Sequence, residues 1–263
     1  MTFTAVGSLT QSETTPGTSS TTLSLTTHTA GNIVLLSVVS DPSAATGVSG
    51  GGCTWVQLTP THALSSLFGG AGGAGNIWAG TVVTPGTATV TVTLGAAANH
   101  VRMNANEFTA TAGAIALDAQ SFLDVSGGTS TWPSLTPTGS GRLYFGYCED
   151  LGSAVAGSTP GFVYEVDGHG NGTGYCLSVS AAYAPVWGDS GEQAGVMALV
   201  KEVTAAPPGS GLLMAHPPRR PAARLPGVPR LRRRALADSR NPETKFHRRA
   251  HPVPDGPRRR PGR

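Results

Sequence analysis

A strict alternation of side chains between Thr87 and Leu94 constrains the fold of this chain more than any other feature. The order is Thr-Ala-Thr-Val-Thr-Val-Thr-Leu, so a threonine precedes every apolar residue. Successive side chains of a β-strand point to opposite faces of the sheet. The segment therefore predicts a strand with one buried face and one face in water, which is typical of an antiparallel sheet.

Similar short segments, rich in threonine, valine and serine and bounded by glycine or proline, occur along the first two hundred residues. Such segments favour strands joined by turns, and helix-forming stretches are nearly absent. Ten strands at this spacing predict an all-β fold, either a two-sheet antiparallel sandwich or a barrel. The predicted strands are Thr21–His28, Asn32–Ser40, Thr54–Leu58, Asn76–Val83, Ala88–Leu94, Val101–Thr109, Arg142–Cys148, Gly161–Val166, Gly174–Ala182 and Gly195–Val203.

The charge of the chain changes abruptly near Thr204. Residues 1–204 carry a net charge of −9, whereas residues 205–263 carry +12. Twelve prolines and fifteen basic residues in those last fifty-nine positions leave little apolar surface to offset the entropy of ordering the chain. We therefore predict one β-sandwich domain over residues 1–204 and a disordered, basic tail over residues 205–263.

The arginine clusters of the tail have two interpretations. One is an arm that binds a polyanion, such as nucleic acid or an acidic protein surface. The other is that this mixture of Pro, Arg, Ala and Gly comes from a GC-rich gene translated beyond its proper frame. The tail contains a single aromatic residue, Phe246, so base stacking is not expected. The candidate polyanion contacts are Arg219, Arg220, Arg232, Arg233 and Arg234.

The amino-terminal segment and the cysteines bear on the compartment. No lysine or arginine precedes Arg102, so the segment lacks the positive region of a secretory signal, and we expect synthesis without export. The longest apolar run, which begins at Ile33, is far shorter than the ~20 residues that span a bilayer, so no membrane anchor is predicted. The cysteines are too few for a disulfide framework, although a bond between Cys148 and Cys176 stays open.

Residues 188–191, Gly-Asp-Ser-Gly, resemble the nucleophile motif of chymotrypsin-like serine proteases. Such a mechanism needs a histidine base beside Ser190 and an aspartate that orients it. The chain order offers His28 or His62, followed by Asp118 or Asp124. However, neither histidine lies in the family's Ala-Ala-His-Cys context, and Glu192 stands where glycine is expected. We therefore favour a turn before the last strand over a catalytic serine.

Other polar motifs are weaker. Residues 167–173 place oxygen or nitrogen donors at alternate positions, as calcium loops do, but Ser178 stands where a bidentate glutamate belongs. The acidic pairs Glu149/Asp150 and Glu165/Asp167 are of the kind that glycosidases use, and the distance between the carboxylates would decide the matter. The sequence has no phosphate loop, zinc spacing or dinucleotide motif, so we predict no cofactor, no metal and no catalytic residue.

Several motifs together look like the jelly-roll modules of actinobacterial phage and prophage virion proteins, often labelled minor tail proteins. The resemblance covers most of residues 4–204 and implies a jelly-roll fold, with no catalytic residues to carry over. The arginine-rich tail departs from it. The motifs are Gly31–Leu36, Gly52–Trp55, Ile77–Gly80, Gly86–Val92, Glu107–Thr109, Pro133–Pro137, Gly141–Gly146 and Ala198–Val200.

The expected function is that of a non-enzymatic tail or capsid-surface protein, assembled into virions in the host cytoplasm. Its partners would be other copies, other virion proteins and host-surface glycan, with nucleic acid bound through the tail if at all. The alternative is a carbohydrate-binding module, in which exposed rings such as Trp132, Tyr183 or Trp187 stack on sugars. A serine hydrolase that uses Ser190 is the third hypothesis.

Overall fold

The computed structural model describes residues 2–65, 72–111, 113–125, 131–150, 155–167, 171–188 and 192–203. These residues form fourteen β-strands and no helix, and the strands pair antiparallel. The predicted all-β class is therefore confirmed. No helix within these ranges is long and apolar enough to cross a membrane. The predicted tail, residues 205–263, lies outside the described residues.

The strands form three sheets. Sheet A contains, in spatial order, β1 (Thr4–Thr14), β9 (His100–Thr109), β3 (Ile33–Asp41), β7 (Gly73–Val82) and β5 (Cys53–Gln57), and β6 (His62–Leu64) also pairs with β7. Sheet B contains β2 (Ser20–Thr27), β8 (Gly86–Leu94) and β4 (Ala45–Gly50). Sheet C contains β10 (Ile115–Val125), β14 (Gln193–Glu202), β11 (Arg142–Asp150), β13 (Gly172–Val179) and β12 (Val163–Val166).

Sheet A is the middle layer, so the expected two sheets are in fact three. Alternate residues of β3 contribute to two separate cores: Val34 packs with residues of sheet B, and Leu35 packs with residues of sheet C. Every residue of β3 is buried, whereas β2 alternates between exposed and buried positions. A strand that is apolar on both faces needs cover on both faces. The continuous apolar run that begins at Ile33 thus requires a third layer.

Residues 4–109 form the first half of the molecule and have the predicted jelly-roll character. The chain alternates between sheets from β1 to β5 and again from β7 to β9: β1, β3, β5, β7 and β9 lie in sheet A, and β2, β4 and β8 lie in sheet B. The outer face of sheet B carries exposed serine and threonine side chains, such as Thr22 and Thr89, and the inner face carries Leu23 and Val90. The alternation between Thr87 and Leu94 therefore corresponds to a sheet with one face in water.

Residues 115–203 form a second half that repeats the topology of the first. Sheet A has the order β1-β9-β3-β7-β5 and sheet C has the order β10-β14-β11-β13-β12. In both sheets the first strand of the half lies at one edge, the last strand of the half lies beside it, and the middle strands follow. Three irregular segments, residues 131–137, 155–162 and 183–188, cover the far side of sheet C; we call them the outer layer. Bridges Thr131↔Val186 and Leu135↔Tyr183 within it correspond to the β2–β8 pairing.

The repeat is also visible in the sequence of the two segments that lead into β3 and β11. Ser24–Thr26 and Ser134–Thr136 are both Ser-Leu-Thr, and the residue numbers differ by 110. At the same offset, Gly31 and Gly141 both adopt positive φ, 88° and 69°, just before the buried strand. Glycine adopts this conformation without the steric cost that other residues bear. Sequence and topology therefore agree on the correspondence between the halves.

The two halves fill the space outside their inner sheets differently. Over sheet C, the outer layer inserts Trp132 and Trp187, which stack with ring centroids 5.2 Å apart. Strand glycines make room for them: a Cβ at Gly146 would lie 2.5 Å from the Trp132 ring, and a Cβ at Gly172 would overlap Trp187. Large side chains of the outer layer thus replace the bulk that the strands of sheet C lack, as close packing demands.

Candidate functional site

A group of charged residues that includes a wholly buried carboxyl bridges sheets A and C. Arg102 of β9 donates to Glu13 of β1 at 3.1 Å and also to Glu149 of β11. The Glu149 side chain is wholly buried. Loss of hydration raises its pKa to about 7, because burial outweighs the attraction of Arg102. This arrangement joins two sheets and gives Glu149 a structural role.

The other acidic residues that suggested a glycosidase also bind structural partners. Glu165 of β12 accepts hydrogen bonds from the Asn106 side chain at 2.6 Å and from the Leu9 backbone at 3.3 Å, and so links sheet C to sheet A. Asp167 accepts a hydrogen bond from the Asn171 backbone at 2.9 Å. The side chain of Asp150 lies outside the described residues. No cavity is found among the residues that the structure describes.

The glycine-rich segment that suggested calcium, residues 167–173, is described at its two ends only. Residues 168–170 lie outside the described residues. The Asn171 backbone N–H donates to the Asp167 side chain, and this bond joins the two described ends of the segment. Within the described ranges, no group of three or more His, Cys, Asp or Glu side chains is arranged to hold a metal ion.

The hydrolase hypothesis rests on Ser190, which lies outside the described residues together with its neighbours at 189 and 191. His28 binds Glu107, with Nδ1 2.7 Å from Oε2. Asp118 accepts hydrogen bonds from Thr138 and Arg142 in the second half. The carboxylate that orients His28 is therefore Glu107 and not the aspartate that chain order suggested.

The second pair of candidates lies where β6 meets β10. His62 stacks on Phe122 with ring centroids 4.6 Å apart and contacts Gln120 through Nε2. Asp124 accepts hydrogen bonds from the backbone and hydroxyl groups of Ser65 at 2.8 and 2.7 Å. These contacts hold the short strand β6 against sheet C.

The three cysteines are free thiols, which answers the open question of a bond between Cys148 and Cys176. Cys148 lies opposite Gly172, and Cys176 lies opposite Tyr144, so the two occupy different rungs of the β11–β13 ladder. Burial, together with the charge of Glu107, raises the pKa of the Cys53 thiol to about 11. The thiolate is the reactive form, so Cys53 is held in its unreactive state.

The rings proposed as glycan contacts fall into two groups. Trp132 and Trp187 are each 1% exposed, so the expectation that their faces are open to a sugar does not hold for either one. Both rings are needed inside, where they pack over the glycines of sheet C. Tyr183 remains partly exposed, and its hydroxyl donates to the Pro160 carbonyl at 2.6 Å.

Tyr183 is part of a larger set that sequence reasoning missed. Phe162 stacks against it with centroids 5.2 Å apart, and Tyr164 lies 5.9 Å from Phe162. All three rings are partly exposed. We call Phe162, Tyr164 and Tyr183 the aromatic face. The signal in the sequence was the spacing of Phe162 and Tyr164, which places both on one side of an extended chain.

The tail arginines proposed to bind a polyanion, Arg219, Arg220, Arg232, Arg233 and Arg234, lie outside the described residues.

Comparison with known proteins finds no family model, no curated protein and no solved structure that matches this chain.

Proposed function

We propose that this chain is a non-enzymatic structural component of a phage or prophage particle, a tail or capsid-surface protein that assembles with other copies and attaches to the host surface. The observation that carries the proposal is the stack of two jelly-roll halves whose outward strands are uncharged. β2, β4 and β8 contain no charged residue, and neither do the three segments of the outer layer. The described ionisable groups discussed above bind strands and turns to one another, as a scaffold requires.

Uncharged sheet faces favour packing against other proteins, because no charge must be stripped of water on contact. β10 and β12 are the edges of sheet C, and both expose large apolar side chains: Phe122 of β10 is 44% exposed and Val163 of β12 is 43% exposed. These edges support assembly with neighbouring subunits. The motifs that resemble virion jelly rolls support the same class of role.

The experiment is quantitative mass spectrometry of particles purified from the host that encodes the chain. We expect peptides from residues 1–203 at a fixed ratio to the major capsid protein, with unrelated host proteins as the background control. Purified protein that is monomeric and particles that lack these peptides would contradict the proposal.

A carbohydrate-binding module is the second candidate, and the aromatic face favours it. It differs from the first in one respect: glycan binding would be the whole function, with no association with particles. The same mass spectrometry therefore separates the two.

A further inference from the structure

We propose that the aromatic face binds the pyranose rings of a neutral polysaccharide; this rests on the host-attachment part of the proposed function and names the ligand. The site consists of Phe162, Tyr164 and Tyr183, with Trp187 beneath. Tyr164 contacts Trp187 with ring centroids 5.0 Å apart. Sugar rings stack their C–H faces on aromatic side chains, which bury large apolar areas with defined geometry.

The rings are held in place before any ligand arrives. Tyr164 donates its hydroxyl to the Val186 carbonyl at 2.8 Å, and Tyr183 donates to the Pro160 carbonyl at 2.6 Å. Both hydroxyls are thus bound to the backbone. A ring that is already fixed loses little side-chain entropy on binding, so more of the contact energy appears as affinity.

The surroundings indicate a neutral ligand. Residues 131–137, 155–164 and 183–188 contain no Asp, Glu, Lys, Arg or His. Val155 and Val186 in this layer are 56% and 41% exposed, and the nearby hydroxyl residues Ser134 and Ser158 are also exposed. A surface of rings, methyl groups and hydroxyls matches a sugar, which has apolar faces and hydroxyl edges. It offers no counter-charge to an acidic polymer or to nucleic acid.

The first half carries a smaller side chain at the position that corresponds to Tyr183. Leu25 of β2 pairs with Ala88 of β8, and at the corresponding bridge Leu135 pairs with Tyr183. Sheet B therefore places a methyl group where the outer layer places a phenol ring. Leu25 lies on the inner face of sheet B, and the serine and threonine side chains lie on its outer face. Phe162, Tyr164 and Tyr183 pack against the core of the second half and keep part of each ring exposed, and this exposed part is what a ligand would contact.

The test is retention of the full chain on a panel of immobilised polysaccharides at high salt, which suppresses contacts of the basic tail. Neutral glucan, galactan, mannan and arabinan are compared with hyaluronate, heparin and DNA. We expect retention on at least one neutral polymer and a loss of about tenfold in affinity for Tyr183→Ala, which corresponds to about 1.4 kcal/mol.

Two control variants show whether a loss of binding comes from removal of the aromatic ring. Tyr183→Phe keeps the ring and should bind within about twofold of the parent, and Thr89→Ala on sheet B should do the same. If Tyr183→Ala fails to fold by circular dichroism, Phe162→Leu replaces it. No retention on any neutral polymer, equal retention of Tyr183→Ala, or a preference for an acidic polymer at high salt would each overturn the inference.

The outcomes also separate this inference from the proposed function. Particles that contain the protein while it binds no neutral polymer would leave the structural role standing and remove the ligand. Binding to a neutral polymer by a protein that is absent from particles would support the ligand and remove the structural role.

Discussion

Glycine residues of sheet C are as specific to this fold as the tryptophans that cover them. Gly146 and Gly174 lie under Trp132, and Gly172 lies under Trp187. Glycine usually weakens a strand, because it adds entropy to the unfolded chain and has no side chain to pack. Here the missing side chain is the feature that allows the indole rings to be buried. The sequence placed Gly146 and Gly174 within predicted strands but assigned them no packing role, since no local pattern shows which ring will lie above a glycine.

Gly172→Ala should lower the free energy of unfolding by about 1–3 kcal/mol, because the new methyl group would collide with Trp187 in a close-packed interior. Chemical denaturation measures the change. Gly47→Ala is the matched control: it also lies in a strand, its Cβ would meet Thr93 at an ordinary 3.8 Å, and it should change stability by no more than about 0.5 kcal/mol. Equal effects at the two sites would contradict the packing described here.

Glu149 should make the protein less stable as the pH rises from about 4.5 to about 7. Its ordinary pKa of 4.5 is raised to about 7 by burial, so the folded state holds a proton that the unfolded state has released. The loss is on the order of 3 kcal/mol across that window. Glu149→Gln should flatten this part of the stability–pH curve, measured by urea denaturation at each pH.

Asp118 should show the opposite dependence of stability on pH and therefore serves as the control for Glu149. Burial acts to raise its pKa, but hydrogen bonds from Thr138, Arg142 and Lys201 outweigh that effect and hold the pKa below its ordinary value of 3.8. Its stabilising contribution is present above about pH 4 and is lost as the pH falls. Asp118→Asn should therefore change the loss of stability below about pH 4 and leave the slope of the free energy of unfolding between pH 4.5 and 7 unchanged. A variant of Glu149 that leaves that slope unchanged would refute its assignment.

Among the elements, the turns before β3 and β11 show the repeat most clearly. In the first half Glu107 accepts the backbone N–H of His28 and the side chain of Asn32. In the second half Asp118 accepts the backbone N–H of Thr138 and the side chain of Arg142. Residues 28 and 138, like 32 and 142, have the offset of 110. Each half thus fixes its turn with one carboxylate, although the two acids come from different strands.

Hydrogen exchange tests these turns. Glu107→Gln should speed amide exchange at residues 28–32 and leave residues 138–142 unchanged, and Asp118→Asn should do the reverse. The reason is that each substitution weakens charge-assisted bonds to its own turn alone. Exchange that rises in both turns with either variant would show that the two halves do not hold their turns independently.

The ten predicted strands all overlap observed strands, because alternation and glycine punctuation are local signals. Four strands were missed for reasons that are also local. β4 contains two glycines, and β6 has three residues. β1 and β10 have register irregularities and lack the clean alternation of burial seen in β2.

At the scale of the whole molecule, the sequence predicted a sandwich but not its duplication. The shared Ser-Leu-Thr motif and the glycine before each buried strand were visible at an offset of 110, yet they are short and their neighbours differ. The aromatic face was found in part: Tyr183 was identified, whereas Trp132 and Trp187 were expected to be exposed. Exposure depends on which layer lies above a ring, and that is decided by contacts between segments far apart in sequence.

The stacking of the two halves through sheets A and C is the central structural claim, and a double-mutant cycle between Arg102 and Glu149 tests it most directly. The two residues lie in different halves, and their ion pair crosses the interface. We predict a coupling free energy of at least about 1 kcal/mol between Arg102→Met and Glu149→Gln at pH 8, where Glu149 is ionised. Additivity within about 0.3 kcal/mol would contradict the stacked arrangement.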